Sequence, residues 1–146
     1  MKIYFETGVD APFQRVAEGF DEDLFRALKP PIMQLDVLRF DGCHKGDVVE
    51  LSMGLGPLRQ SWVSHITYDH TTDDDMVFID EGHKLPPPLR SWHHTHKVIR
   101  KSSTQTTIVD DIRYSTGFKV LDALIYPIMY LMFIGRKPIY KRYFKA

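Results

Sequence analysis

One cysteine, Cys43, stands alone among 146 residues, so no disulfide can form within the chain. That fits a reducing compartment. There is no charge surplus either: 19 Lys and Arg balance 19 Asp and Glu. A general nucleic-acid binder needs a basic excess to displace phosphate counterions, so no nucleic-acid partner is expected. Long apolar runs are also missing. The greasiest segment, Ala123 to Ile134, has 12 residues, and spanning a bilayer takes about 20. No stable membrane insertion is expected. The opening Met1-Lys2-Ile3-Tyr4-Phe5-Glu6 lacks the apolar run of a secretory signal, which predicts a cytoplasmic protein. Gly54-Leu55-Gly56-Pro57 opens no helix, so it is a poor phosphate loop. No cofactor is expected. There is no internal repeat and no linker, and the length suits one domain over residues 1–146.

What is present is a series of strands. Lys2 to Thr7 alternates and reads as the first. Pro12 to Phe20 and Asp21 to Leu28 read as two short helices, with Asp10 as a candidate cap for the first and Pro12 near its start. Asp21, Glu22 and Asp23 favour the start of the second through the helix dipole, and Pro30-Pro31 ends it. Further strands follow at hairpin spacing: Ile32 to Asp41, Val48 to Leu55, Leu58 to Tyr68, Met76 to Glu81, Arg90 to Lys101 and Gln105 to Ser115. In the third, Val49, Leu51, Met53 and Leu55 face inward; in the fourth, Trp62, Ile66 and Tyr68 share a face. A long helix, Phe118 to Tyr143, closes the chain, with a kink or restart expected at Pro127. This order predicts an α+β fold. A seven-stranded antiparallel sheet curves around the terminal helix, with a cavity between them.

The segment Trp92-His93-His94-Thr95-His96 carries the most chemical information. Alternation puts Trp92, His94, His96 and Val98 on one face. Two imidazoles between apolar ends suit a pocket wall. In the seventh strand, Ile108, Asp110, Ile112 and Tyr114 form the more apolar face, so Asp110 points inward. Phe78 and Asp80 share a face of the fifth strand. A turn centred on Ser103 sets His96 opposite Asp110; a slip of two residues sets His94 there. Either register predicts a His–Asp contact. That contact admits several readings. It can simply satisfy a histidine packed beside Trp92. It can hold the polar end of a ligand. It can serve acid–base catalysis by His94, His96 and Asp110. No metal site is expected, because no second motif supports the His-x-His spacing. His65 and His93 should face outward. Arg136, Lys137, Lys141, Arg142 and Lys145 read as a solvated helix end, with contact to anionic lipid as the alternative.

The whole pattern resembles the START-like, or pollen-allergen-like, superfamily, also called SRPBCC, with its helix-grip fold. The resemblance rests on Asp23-Leu24-Phe25-Arg26-Ala27-Leu28-Lys29-Pro30-Pro31, on Phe40-Asp41-Gly42 with Gly46-Asp47-Val48-Val49, and on Phe78-Ile79-Asp80-Glu81. It rests most on Trp92-His93-His94-Thr95-His96 and Val109-Asp110-Asp111-Ile112-Arg113-Tyr114, which are similar to a bacterial subgroup with an aromatic and paired histidines on the sixth strand. The resemblance implies a cavity that takes sterols, lipids, polyketides or similar molecules.

The expected ligand is a hydrophobic or amphipathic small molecule. Trp92, His94, His96, Asp80, Asp110, Phe78, Tyr114, Trp62 and Tyr130 are the candidate lining residues. The alternatives are a cyclase, dehydratase or hydrolase using the His–Asp pair, and a protein-interaction module with a collapsed pocket. An empty void of about 300 Å³ would cost roughly 7 kcal/mol, so a large cavity should be occupied.

Overall fold

The computed structural model describes residues 1–30 and 33–145. Strand β1 (Lys2–Val9) is followed by α1 (Phe13–Glu18) and α2 (Glu22–Ala27). Six strands come next: β2 (Gln34–Phe40), β3 (Val48–Leu55), β4 (Leu58–Thr71), β5 (Asp75–Lys84), β6 (Ser91–Arg100) and β7 (Thr106–Ser115). Two helices end the chain, α3 (Lys119–Ile134) and α4 (Arg136–Tyr143). The strands form one curved antiparallel sheet in the order β1-β7-β6-β5-β4-β3-β2. Every neighbour from β2 to β7 is also a neighbour in sequence, and β1 closes on β7. Ile32, the expected start of β2, and Pro31 lie outside the described residues.

Alternation decides the core. Ile3, Phe5, Thr7 and Val9 of β1 are buried while their neighbours are exposed. Trp92, His94, His96 and Val98 of β6 repeat that pattern. One apolar cluster joins Ile3, Phe5, Trp62, Trp92, Ile112 and Tyr114 to Met129 and Phe133 of α3. A second joins α1 and α2, through Val16, Phe20 and Leu24, to Phe78, Val98, Tyr140 and Phe144. Asp21 caps α2 as expected, accepting from the Leu24 amide at 2.9 Å. Asp10 does not cap α1; its carboxylate accepts from Gln105 Nε2 at 3.3 Å, and Pro12 holds the cap position without a side-chain bond.

Three expectations are corrected. Tyr68 turns outward and is 47% exposed. The register shifts between Ile66 and Tyr68, and Tyr68 stands opposite the outward Ile79, so one extra residue reverses the face. Leu55 is exposed because it closes the hairpin against Leu58, beyond the reach of the core. The terminal helix does not restart at Pro127; it continues through that residue and divides at Gly135. Proline removes the bond to the Ala123 carbonyl, but both residues are exposed, so that carbonyl meets water. Among the described residues, no helix is long and apolar enough to cross a membrane.

Candidate functional site

Strands β5, β6 and β7 bring four ionisable side chains into one buried group. Asp80 stands opposite His94, and His96 stands opposite Asp110. The hydrogen bonds run along the diagonals. His94 Nε2 bonds Asp110 Oδ1 at 2.9 Å, and His96 Nε2 bonds Asp80 Oδ2 at 2.5 Å. The two imidazoles stack with centroids 3.6 Å apart. Phe78 stacks on the other face of the pile, 4.3 Å from His96. Trp92 Nε1 donates to Asp80 Oδ1 at 3.1 Å, so both oxygens of Asp80 are engaged.

A fifth charge enters from the C-terminal helices. Arg136 lies at the start of α4, and its Nη1 is 3.4 Å from Asp110 Oδ1. Its guanidinium sits over the Phe133 ring at 4.7 Å. Tyr140 donates to the same Asp110 oxygen at 3.4 Å. Arg136 was expected in a solvated helix end; the side chain is only 15% exposed and belongs to the site. Its spacing, three residues after Phe133 and seven after Met129, continues the buried seam of α3 and was the available signal.

The electrostatics follow from these contacts. Burial opposes the charge of Asp110, but the His94 hydrogen bond and the nearby Arg136 outweigh it, holding the carboxyl well below the usual range. Asp80 is likewise lowered: burial works against its charge, and the His96 hydrogen bond together with the nearby His94, His96 and Arg136 outweighs it. Burial, reinforced by the neighbouring His96, pushes His94 down to about 4. An ionised Asp110 only accepts, so His94 carries its hydrogen on Nε2. Its Nδ1 is then a lone pair, 3.7 Å from Asp80 Oδ2. His96 Nδ1 is buried without a partner.

A cavity of about 80 Å³ opens beside this group, between the sheet and α3. Asp80, His94, His96 and Arg136 form its polar end. Apart from Ser64, which accepts from Trp62 Nε1, the rest is mainly apolar, with Leu35, Val49, Leu51, Met53, Trp62 and Ile66 from the sheet, Met132 and Phe133 from α3, and Phe25, Leu28 and Pro30 toward α2. Of the residues expected to line it, Trp62, Asp80, Trp92, His94 and His96 do so. Asp110 and Phe78 sit behind the histidines as their bonding and stacking partners. Tyr114 is buried elsewhere and donates to the Asp122 carbonyl at 2.8 Å. Tyr130 lies outside the cavity, partly exposed against Phe5, because its position on α3 faces β1. Cys43 joins the lining; burial pushes its thiol up to about 12, which keeps it protonated and unreactive. His93 faces outward, as expected, and meets Glu81 at 3.0 Å. His65 lies half-buried on the outer face, stacked on His83.

Asp80, His94 and His96 bring possible ligand atoms within 4.8 Å of one another. Imidazole lone pairs lie in the ring plane. Two rings stacked at 3.6 Å and 24° do not converge on one ion without rotating apart.

No family model matches the chain, and no curated protein does. Solved structures do. The Zhui aromatase/cyclase of a Streptomyces species is 16% identical, with a TM-score of 0.59 over 94% of this chain and 93% of that one. Norcoclaurine synthase of Thalictrum flavum, a point mutant solved with a transition-state analogue, is 10% identical, with a TM-score of 0.65 over 95% and 92%. A Chromobacterium violaceum protein is 16% identical, with a TM-score of 0.63 over 97% and 94%. At these identities the likeness establishes architecture alone: the chain has the helix-grip fold of these structures, a curved antiparallel sheet with a C-terminal helix.

Proposed function

We propose that the protein binds a small amphipathic molecule in the cavity between sheet and α3. One observation carries this reading. The cavity is lined mainly by apolar side chains and has one buried cluster of ionisable groups, Asp80, His94, His96 and Arg136. An apolar body fits the first part and a polar group the second. The His94 lone pair accepts a hydrogen bond, and Arg136 offers further N–H groups. The volume of about 80 Å³ revises the argument from vacancy. Left empty, such a cavity costs about 2 kcal/mol, which a folded domain tolerates. A ligand of any size therefore enters by displacing side chains, and Met53 and Met132 in the lining repack readily.

An enzyme is the second reading, and the orientation of His94 favours it. A carboxylate on one ring nitrogen and a free lone pair on the other is the arrangement of a general base. Its lowered pKa makes it a weak one. Native mass spectrometry of freshly purified protein, with thermal shift across a lipophile panel, tests the binding reading. A co-purified mass or a saturable shift supports it. Neither, on repetition, favours a collapsed pocket whose fold serves another purpose. With a ligand in hand, His94→Ala lowers affinity in a binder, but spares affinity and abolishes turnover in an enzyme.

A further inference from the structure

The C-terminal helices carry an exposed face that the cavity does not explain. Buried positions recur at Asp122, Met129, Phe133, Tyr140 and Phe144, a 7-4-7-4 spacing that runs on through the division at Gly135. Gly135 keeps right-handed helical angles, φ −63° and ψ −16°, so the periodicity is not reset. The opposite face is bare. On α3 it shows Val120 at 75%, Leu124 at 68%, Ile128 at 61% and Leu131 at 65% exposure. On α4 the same face continues through Pro138, Lys141 and Arg142, with Lys145 just past the helix end, all exposed.

The two halves differ in chemistry. The aliphatic half is on the order of 500 Å² with Phe118 included, the large end of what monomeric proteins leave uncovered. A helix that is apolar on both sides is normally buried on both sides. Within α3 the only charges are Lys119 and the buried Asp122. The α4 half is cationic. Among the described residues, Lys141, Arg142 and Lys145 form no ion pair. Two carboxylates lie near the end of α4, Asp21 and Asp23, and Asp21 accepts from Tyr143 rather than from a cation.

We propose that this face docks on an anionic lipid surface, with α3 lying along the interface and the α4 cations against the headgroups. The charge pattern selects this occupant. An apolar strip continuous with unpaired Lys and Arg matches a bilayer interface, which offers acyl chains beneath anionic groups. A second copy packed face to face would bury the aliphatic strip, but the only carboxylate of α3, Asp122, is buried, so the strip itself offers the cations no counter-charge. The docking is independent of what fills the cavity, and it involves no crossing of the membrane.

Vesicle flotation with the full chain tests it. The probes are phosphatidylcholine vesicles with and without phosphatidylserine. The expected result is binding only when phosphatidylserine is present, reversed at high salt. Lys141→Ala with Arg142→Ala and Lys145→Ala should weaken binding at least tenfold, since each cation near the surface contributes several-fold. Leu124→Gln with Leu131→Gln should weaken it by a similar factor. Both variants change exposed side chains, and an unchanged melting temperature verifies the fold. The proposal is overturned by equal binding to both vesicle types, by no binding to either, or by binding that ignores both variants. It is also overturned by a concentration-dependent dimer that the Leu variant alone dissolves.

Discussion

His94 bonds Asp110 across a diagonal, at 2.9 Å, although the residue directly opposite Asp110 is His96. Asp110 then also receives Arg136 and Tyr140 on the same oxygen. Replacing Asp110 by Asn keeps the shape and removes the charge that three buried donors share. Breaking a buried ion pair from one side costs about 3–5 kcal/mol. Urea denaturation should show Asp110→Asn destabilised by about 3 kcal/mol or more. A loss under about 1 kcal/mol would mean the donors find other partners.

Stability should depend on pH in two windows. His94 titrates near 6.5 when unfolded and at about 4 when folded. Between those values the unfolded chain binds the proton more readily, so stability falls as pH falls from 6.5 to about 4. The full shift corresponds to roughly 3 kcal/mol. Asp80 and Asp110 are lowered in the fold, so their contribution is present above about pH 4 and is lost as pH drops further. Denaturation midpoints from pH 8 to pH 3 should decline in both windows, and His94→Gln should flatten the upper one. A flat profile above pH 4 in the parent protein would contradict the buried neutral imidazole.

Filling the cavity should separate folding from binding. Met132→Trp places a larger ring among Trp62, Trp92 and Phe133. Thermal shift by any lipophile that acts on the parent should disappear. Stability without ligand should change by about 1–3 kcal/mol at most, the usual range for overpacking. Unaltered binding would place the ligand elsewhere.

Cys43 should resist alkylation. Its thiol is partly buried, bonds the Phe20 carbonyl at 3.5 Å and is pushed up to about 12. Iodoacetamide at pH 8 should label it only after denaturant is added. Rapid labelling of the folded protein would show that the cavity mouth opens widely.

Much of this was legible in the residues. The alternation of Trp92, His94, His96 and Val98 and the parity of Asp110 fixed the inward faces, because a strand has a period of two and no Gly or Pro interrupts these two. The His96–Asp110 register also follows from the turn around Ser103. What escaped was set by single-residue irregularities and by long-range packing. The bulge near Thr67 sent Tyr68 outward, and nothing local in the sequence marks it. Arg136 sits in a run of cations that reads as solvated; its place on the buried seam, with α4 packed on β1, puts its guanidinium on Asp110. The diagonal choice of carboxylate depends on side-chain rotamers, which alternation does not encode.

The crossed bonds have a further consequence for β6. Sliding a strand by two residues keeps every side chain on its own face, so hydrophobic patterning does not resist that error. Here such a slide would put one imidazole in the other's place and carry the second out of the quartet, so one of the two crossed bonds would be lost. The quartet therefore tilts β6 toward a single register, the one in which each neighbouring strand's carboxylate keeps an imidazole of its own.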